Sequence, residues 1–279
     1  MRRILAHISQ VLGTRYDARE LECVRKSLCV EYLGLDEFSY YTKEPLPDDP
    51  ERDIRLEGAL KRLLAGEPLQ YVLGVTPFCG LRFNVGPGVL VPRPETGELV
   101  EWVASDVTCP SSILDIGTGS GCIAVTLASK LPQCSVTGWD VSDEALWFAR
   151  SNNVLNSTTV RFEKHDVLSG NLPVDKFDVI VSNPPYITER EKSDMDRTVL
   201  DYEPELALFV PDNDPLLFYR TIAMFGKRAL KPGGSLYFEI NPMFAGQLQQ
   251  LLERSGYHNV TLRSDIFGKL RMIKAIAYE

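Results

Sequence analysis

The chain lacks any run approaching the roughly 18 consecutive apolar residues that a membrane span needs. It also lacks a CxxC pair, its six cysteines standing apart at 23, 29, 79, 109, 122 and 134. Only three histidines occur, His7, His165 and His258, far from one another and without metal-ligand spacing. Zinc sites and disulfide frameworks are therefore disfavoured, no metal is expected, and the cysteines read as free thiols in a reducing compartment. Basic residues are not in excess. The formal net charge of −8 argues against a duplex nucleic-acid substrate, whose affinity leans on Lys and Arg contacts to phosphate. The opening MRRILAHISQVLGTRYDARE has arginines but neither a long apolar core nor a small-residue cleavage site. No signal peptide is expected, and the expected address is the cytoplasm.

What is present is ordinary for a globular protein: 279 residues, 44% hydrophobic and 24% charged. Residues 1–67 carry apolar positions at helical spacing, as in Ile4, Leu5, Ile8, Val11 and Leu12, with stops at Gly34 and Gly66. They predict a small helical domain. Residues 68–92 alternate short β-rich runs with Gly and Pro, which predicts a β-hairpin linker. Over 93–279 strands alternate with helices: SSILDIG, CSVTGWD, TVRFEKHD, FDVIVSN and SLYFEI are strands. The helix PLLFYRTIAMFGKRAL is expected to close at KPGG, and YHNVTLRSD with LRMIKAIAYE is expected to form a terminal antiparallel pair. The fold class is α/β, a Rossmann-like, mostly parallel sheet covered on both faces.

LDIGTGSG, residues 114–121, joins a strand to a helix. Glycines let the backbone turn sharply and approach a ligand, and the following helix points its N–H groups at the loop. A dinucleotide loop would need Gly at 122, where Cys122 stands, and no Lys-Ser/Thr follows to make a phosphate-binding loop. Asp115 just before the turn would repel pyrophosphate and attract a cation. Asp140 ends the next strand, where an acid can take ribose hydroxyls, and Asp166 ends the third, in reach of an adenine amino group. Three acids at three successive strand ends, with one glycine-rich turn, describe a site for S-adenosyl-L-methionine. Taken singly, Asp140 and Asp166 also read as helix caps or loop acids.

The fourth strand ends in Asn183-Pro184-Pro185-Tyr186. Each proline fixes φ and pushes its predecessor toward extended geometry, so this is a stiff corner. A planar NH2 group has two donors. Asn183 Oδ1 can accept one and the Pro184 carbonyl the other, and Tyr186 offers an aromatic face to a flat amide or base. That positioning is what methyl transfer most needs. Asn183, Pro184 and Tyr186 are the candidate catalytic residues. Without a partner motif, the corner also reads as a rigid turn with a surface tyrosine; downstream of a matching cofactor loop it points to methyl transfer.

Several stretches together resemble one family, the peptide chain release factor N5-glutamine methyltransferases, also called HemK or PrmC. They are GEPLQYVLG (66–74), VLVPRPET (89–96), ILDIGTGSGCIA (113–124), SNPPYI (182–187), YEPELAL (202–208), LKPGGSLYFEI (230–240) and RMIKA (271–275), in the family's order. The resemblance implies a fold of seven strands behind a helical domain that grips class 1 release factors. It implies methylation of the glutamine in their Gly-Gly-Gln motif. Asp115, Gly117, Thr118, Gly119, Ser120, Gly121, Asp140, Asp166, Val167 and Asn183 would bind S-adenosyl-L-methionine. Asn183, Pro184, Pro185 and Tyr186 would hold the glutamine, with Arg93 and Glu95 helping to close the pocket. A monomer without stable nucleic-acid or membrane partners is expected. The chain departs from the family pattern at Gly97, where a Glu is usual, at Leu270, where an Asp is frequent, and in FVPDNDPLLFY, where a glycine-rich loop is usual.

Other readings are an adenine methyltransferase using the same corner, a module that binds cofactor without catalysis, and an NAD-dependent dehydrogenase. The first lacks an evident target-recognition domain, intact Asn183 and Tyr186 argue against the second, and Cys122 with Asp115 against the third. The helical domain also reads as a dimerisation or packing cap.

Overall fold

Apolar residues spaced three and four apart turn the first part of the chain into helices. The computed structural model describes every residue except Asn171, Val174 and Glu279. Two units divide the chain, Met1–Val75 with Asp196–Tyr202, and Thr76–Met195 with the residues from Glu203 onward.

In the first unit, α1 (Arg2–Leu12) buries Ile4, Ile8 and Leu12 on one face. A capping box opens α2 (Ala18–Lys26), since Asp17 accepts the Arg19 and Glu20 N–H groups while Glu20 accepts that of Asp17. This helix runs on into a π-helical turn at Ser27–Tyr32. Asp36 caps α3 (Glu37–Thr42), and Asp49 with Pro50 starts α4 (Pro50–Leu64). The short α5 (Leu69–Leu73) ends at Gly74, whose φ of +74° suits a glycine. Ile8, Leu12, Leu28, Leu60 and Leu63 are the buried centre of this unit.

A two-stranded sheet follows, β1 (Val75–Phe78), whose last three residues begin the second unit, and β2 (Leu81–Asn84). The hairpin expected across 68–92 is thus confined to 75–84, because Leu69–Leu73 is already helical. Alternation then sets in: α6 (Pro94–Asp106), β3 (Ser112–Ile116), α7 (Cys122–Lys130), β4 (Ser135–Asp140), α8 (Asp143–Leu155), β5 (Val160–Lys164) and β6 (Phe177–Ser182). The two-residue β7 (Ile187–Thr188) pairs with β8 (Phe209–Val210), and between them lie α9 (Arg197–Tyr202), part of the first unit, and α10 (Glu205–Leu208). The chain closes with α11 (Leu217–Ala229), β9 (Leu230–Glu239), α12 (Ala245–Arg254), β10 (Tyr257–Ser264) and β11 (Leu270–Ala277). The expected last strand ran on to Glu279, which lies outside the described residues.

Among the described residues the main sheet has seven strands in the order β10-β11-β9-β6-β3-β4-β5. Neighbours from β9 to β5 are parallel, while β11 is antiparallel to both β9 and β10. This is the mostly parallel sheet with a terminal antiparallel pair that the sequence predicts. Adjacent strand residues feed opposite faces. Ile113 and Val179 enter one core with Leu99, Ile123 and Leu127; Leu114 and Ile180 enter the other with Ile222 and Leu248. The helix expected to close at KPGG ends at Ala229, just before it, and KPGG itself already belongs to the next strand. A register shift between Phe177 and Val179 accommodates residues 231–234 in β9. A proline tolerates such a bulge because no ladder donor is asked of it there.

Candidate active site

Parallel strands send their carboxyl ends to one edge of the sheet. Ile116 of β3 pairs with Ser182 of β6, and the Ser182 hydroxyl donates to the Ile116 carbonyl at 2.6 Å. The next residues out on these neighbouring strands are Gly117 and Asn183. Strand spacing of about 4.8 Å therefore brings the glycine turn and the Asn-Pro-Pro-Tyr corner side by side.

The turn is built from backbone hydrogen bonds. The N–H groups of Gly117 and Thr118 both donate to the Trp139 carbonyl at 2.9 Å, and Gly121 N–H donates to the Thr118 carbonyl at 2.8 Å. Gly117, Gly119 and Gly121 have φ of +72°, +55° and +80°, which side chains disfavour. A Cβ on Gly117 or Gly119 would meet open space, so the loop presents bare backbone to a ligand. Asp140 Oδ2 accepts the Gly119 N–H at 2.8 Å and Oδ1 that of Ser142 at 2.9 Å. Burial raises the Asp140 carboxyl, against these donors. Each oxygen keeps a second lone pair for a hydroxyl.

Asp115 is fully buried. Burial lifts its carboxyl to about 7, with Asp140 adding to the rise, while the Thr118 hydroxyl at 2.6 Å and the Ala124 backbone N–H pull it down. Asp115 Oδ1 and the Ser120 hydroxyl have no hydrogen-bond partner among the described residues. Orphaned buried acceptors are rare and costly. Two of them beneath open glycines fit a ligand bearing a cation with N–H donors, such as the methionine end of S-adenosyl-L-methionine. Asp166 is exposed and caps the turn Val167–Ser169 through the Leu168 N–H, while Val167 packs against the core.

Asn183 is half-buried, and its Nδ2 donates to the Thr96 hydroxyl at 3.3 Å. Thr96 in turn donates to Glu239 Oε2 at 2.6 Å, and the Tyr186 hydroxyl donates to Glu239 Oε1 at 3.1 Å. Burial and the neighbouring Glu239 charge push the Tyr186 phenol well above its ordinary range, so it stays protonated. Pro184 is buried and Pro185 half-buried in this corner. The corner is held from below as well, since Asn241 Nδ2 donates to the Tyr186 carbonyl at 3.1 Å.

Arg93 pairs with Glu203 at 2.6 Å, and Glu203 also accepts the Val91 N–H at 3.1 Å. Glu95 stands half-buried in the first turn of α6, and its charge bears on Glu239. Glu239, Thr96, Glu203 and Asn152 are structural partners that motif reasoning missed. Asn152, fully buried on α8, donates to the Ser120 and Asn84 carbonyls and so ties the glycine loop to β2. A signal for Glu239 did exist. It ends an apolar strand at the same sheet edge as Asp115 and Asp140.

Residues 97–200 match the family model described as the methyltransferase small domain, and residues 3–74 match the PrmC N-terminal domain. A relative from Bacteroides thetaiotaomicron, named release factor glutamine methyltransferase, is 45% identical over 276 residues, covering 99% of both chains. One of the same name from Flavobacterium psychrophilum is 44% identical over 95% of each. This chain belongs to the release factor glutamine methyltransferase family. A solved methyltransferase from Pyrococcus furiosus shares the fold, with a TM-score of 0.56 at 19% identity over 83% of this chain and 100% of that one.

At Gly97 a Cβ would stand 3.0 Å from the Cys79 sulfur and 3.7 Å from the Phe78 ring, so the start of α6 packs closely on the hairpin. Glu98, next to it, accepts the Ile266 N–H at 3.2 Å. Among the described residues no helix is long and apolar enough to cross a membrane, and no cluster of His, Cys, Asp and Glu could hold a metal.

Proposed function

We propose that this chain transfers the methyl group of S-adenosyl-L-methionine to the side-chain amide nitrogen, N5, of the glutamine in the Gly-Gly-Gln motif of class 1 release factors. The observation that carries the proposal is the adjacency of the glycine turn and Asn183 on paired strands, in a chain of this family. Gly117–Gly121 and Asp115 would hold the methionine end of the cofactor, Asp140 the ribose, and Asp166 with Val167 the adenine. Bound there, the cofactor supplies a methyl group on a cationic sulfur, an electrophile that needs no activation.

The protein's own part is orientation. Asn183 Oδ1 and the Pro184 carbonyl accept the two N–H bonds of the substrate amide and fix its lone pair toward the methyl group. Tyr186 and Pro185 wall the flat amide. No base is needed before transfer, and the surplus proton leaves the product nitrogen afterwards. Arg93, locked by Glu203, and Glu95 shape the mouth of the pocket. The helical unit grips the release factor, and the protein works as a monomer in the cytoplasm.

The test offers the purified protein and S-adenosyl-L-methionine with a labelled methyl group to a class 1 release factor and to adenine-containing DNA. Label on the release factor alone is expected. Label on DNA alone would leave the corner standing with a different NH2 group inside it and would overturn the assignment of a protein substrate.

A further inference from the structure

We propose that the buried carboxylate of Glu239, acting through the Thr96 hydroxyl, sets which end of the Asn183 amide faces the substrate and polarises it. Glu239 is then a positioning residue for the methyl acceptor, an inference that rests on the function proposed above.

The direction of the hydrogen bonds carries it. An ionised carboxylate only accepts. Glu239 is 2% exposed and ends β9, and both its oxygens face hydroxyl groups, Thr96 on Oε2 and Tyr186 on Oε1. The single proton of the Thr96 hydroxyl is committed to Glu239 at 2.6 Å, a short, charge-assisted bond. The Thr96 oxygen then has only lone pairs left for Asn183. The amide must meet it with Nδ2, as it does at 3.3 Å, and must send Oδ1 the other way. Inverted, Oδ1 would face lone pairs. Side-chain amides have two nearly isosteric ends, and here the donor chain chooses between them.

Polarity follows from the same chain. A negative charge at one end of successive hydrogen bonds strengthens each of them. Density drawn through Thr96 toward the Asn183 NH2 makes Oδ1 a stronger acceptor of the substrate N–H, which leaves the substrate nitrogen richer in electrons. No proton is transferred along the chain. Residues 96, 186 and 239 come from α6, the Asn-Pro-Pro-Tyr corner and β9, so one buried acid ties three segments into the orientation that transfer requires. The charged and titratable groups facing it are Tyr186, Glu95 on α6, Cys122 on α7, Tyr219 on α11 and Arg271 on β11. Burial raises the Glu239 carboxyl, against Thr96, Tyr186 and Arg271. Acid therefore returns a proton to it and releases the constraint on Thr96.

The test compares Glu239→Gln, Thr96→Val and Thr96→Ser with wild type by two independent readouts. The first is the side-chain NH2 resonance of Asn183 in protein labelled with nitrogen-15 at asparagine, without cofactor or substrate. The expected result is a shifted Asn183 signal in Glu239→Gln and Thr96→Val, restored in Thr96→Ser. The second is kcat and KM on the release factor. Glu239→Gln and Thr96→Val are expected to lose kcat by about 100-fold, the scale of a misplaced reacting group, with the double variant no worse than either single one. Wild-type kcat is expected to fall on acidification. An unchanged Asn183 resonance in folded Glu239→Gln, or losses that multiply in the double variant, would overturn the inference. A wild type that fails to methylate the release factor while the resonance behaves as expected would count against the proposed function and leave the hydrogen-bond direction intact.

Discussion

The carboxylate of Asp140 accepts the backbone N–H of Gly119 at 2.8 Å, so the acid that ends β4 pins the loop that leaves β3. The loop's shape is then a property of two strands. Asp140→Ala should release Gly119 and weaken S-adenosyl-L-methionine binding. A hydrogen bond to a charged group contributes about 1.5–3 kcal/mol, on the order of 10- to 100-fold in affinity. Titration calorimetry checks this, and wild-type affinity in Asp140→Ala would remove the pin from the binding site.

Asp115 should make the free protein less stable as pH rises. An unfolded carboxyl titrates near 3.9, and the folded one at about 7. Below about 4 both states hold the proton, and Asp115 has no effect on the balance. Between about 4 and 7 the unfolded state gives up its proton and the folded state does not, so stability falls with pH. Above 7 the full penalty is present. Asp115→Asn keeps an acceptor for Thr118 and removes the charge. Its melting temperature should match wild type near pH 4 and exceed it at pH 8. The same variant should bind the cationic cofactor poorly. A variant less stable than wild type at pH 8 would contradict the buried-charge reading.

Glu203 holds the segment that precedes α6 by accepting from Arg93 and from the Val91 N–H. Glu203→Ala leaves a buried N–H without an acceptor and a guanidinium without its partner. The cost should be about 2–3 kcal/mol in denaturant unfolding, below that of a fully buried pair because Arg93 is partly exposed. Glu203→Gln, which still accepts, should lose less. Equal losses in the two variants would shift the weight from the hydrogen bonds to the charge.

Gly97→Glu, the residue the resemblance implies at this position, should destabilise this chain. The new Cβ would press on the Cys79 sulfur, 3.0 Å away. Overpacking of this kind costs about 1–3 kcal/mol, more than the helix gains by losing a glycine. A lower melting temperature is expected. A gain would show that the hairpin yields at this position.

The parts of the site legible in the sequence are those that lie close together along it. LDIGTGSG declares a strand, a turn and a helix within eight residues, and Asn183-Pro184-Pro185-Tyr186 declares a rigid corner by its prolines alone. The parallel sheet was legible too, because buried strands and amphipathic helices differ in period. Thr96 and Glu239 were not, since 143 residues separate two atoms 2.6 Å apart. The rule applied to Asp115, Asp140 and Asp166, an acid at the end of an apolar strand, holds equally for Glu239 in SLYFEI and would have raised it as a candidate. KPGG reads as a helix stop and α11 does end before it, but that β9 runs through it across a register shift was not legible.

The most direct measurement is peptide mass spectrometry of a class 1 release factor after incubation with S-adenosyl-L-methionine and either the wild-type protein or Asn183→Ala. The expected result is one added methyl group, located on the glutamine of the Gly-Gly-Gln motif. With Asn183→Ala its rate should fall by about 100- to 1,000-fold, the scale for losing one preorganised polar contact at the reacting group. A methyl group on another residue, or one added by Asn183→Ala at the wild-type rate, would contradict the central claim that this corner holds the accepting amide.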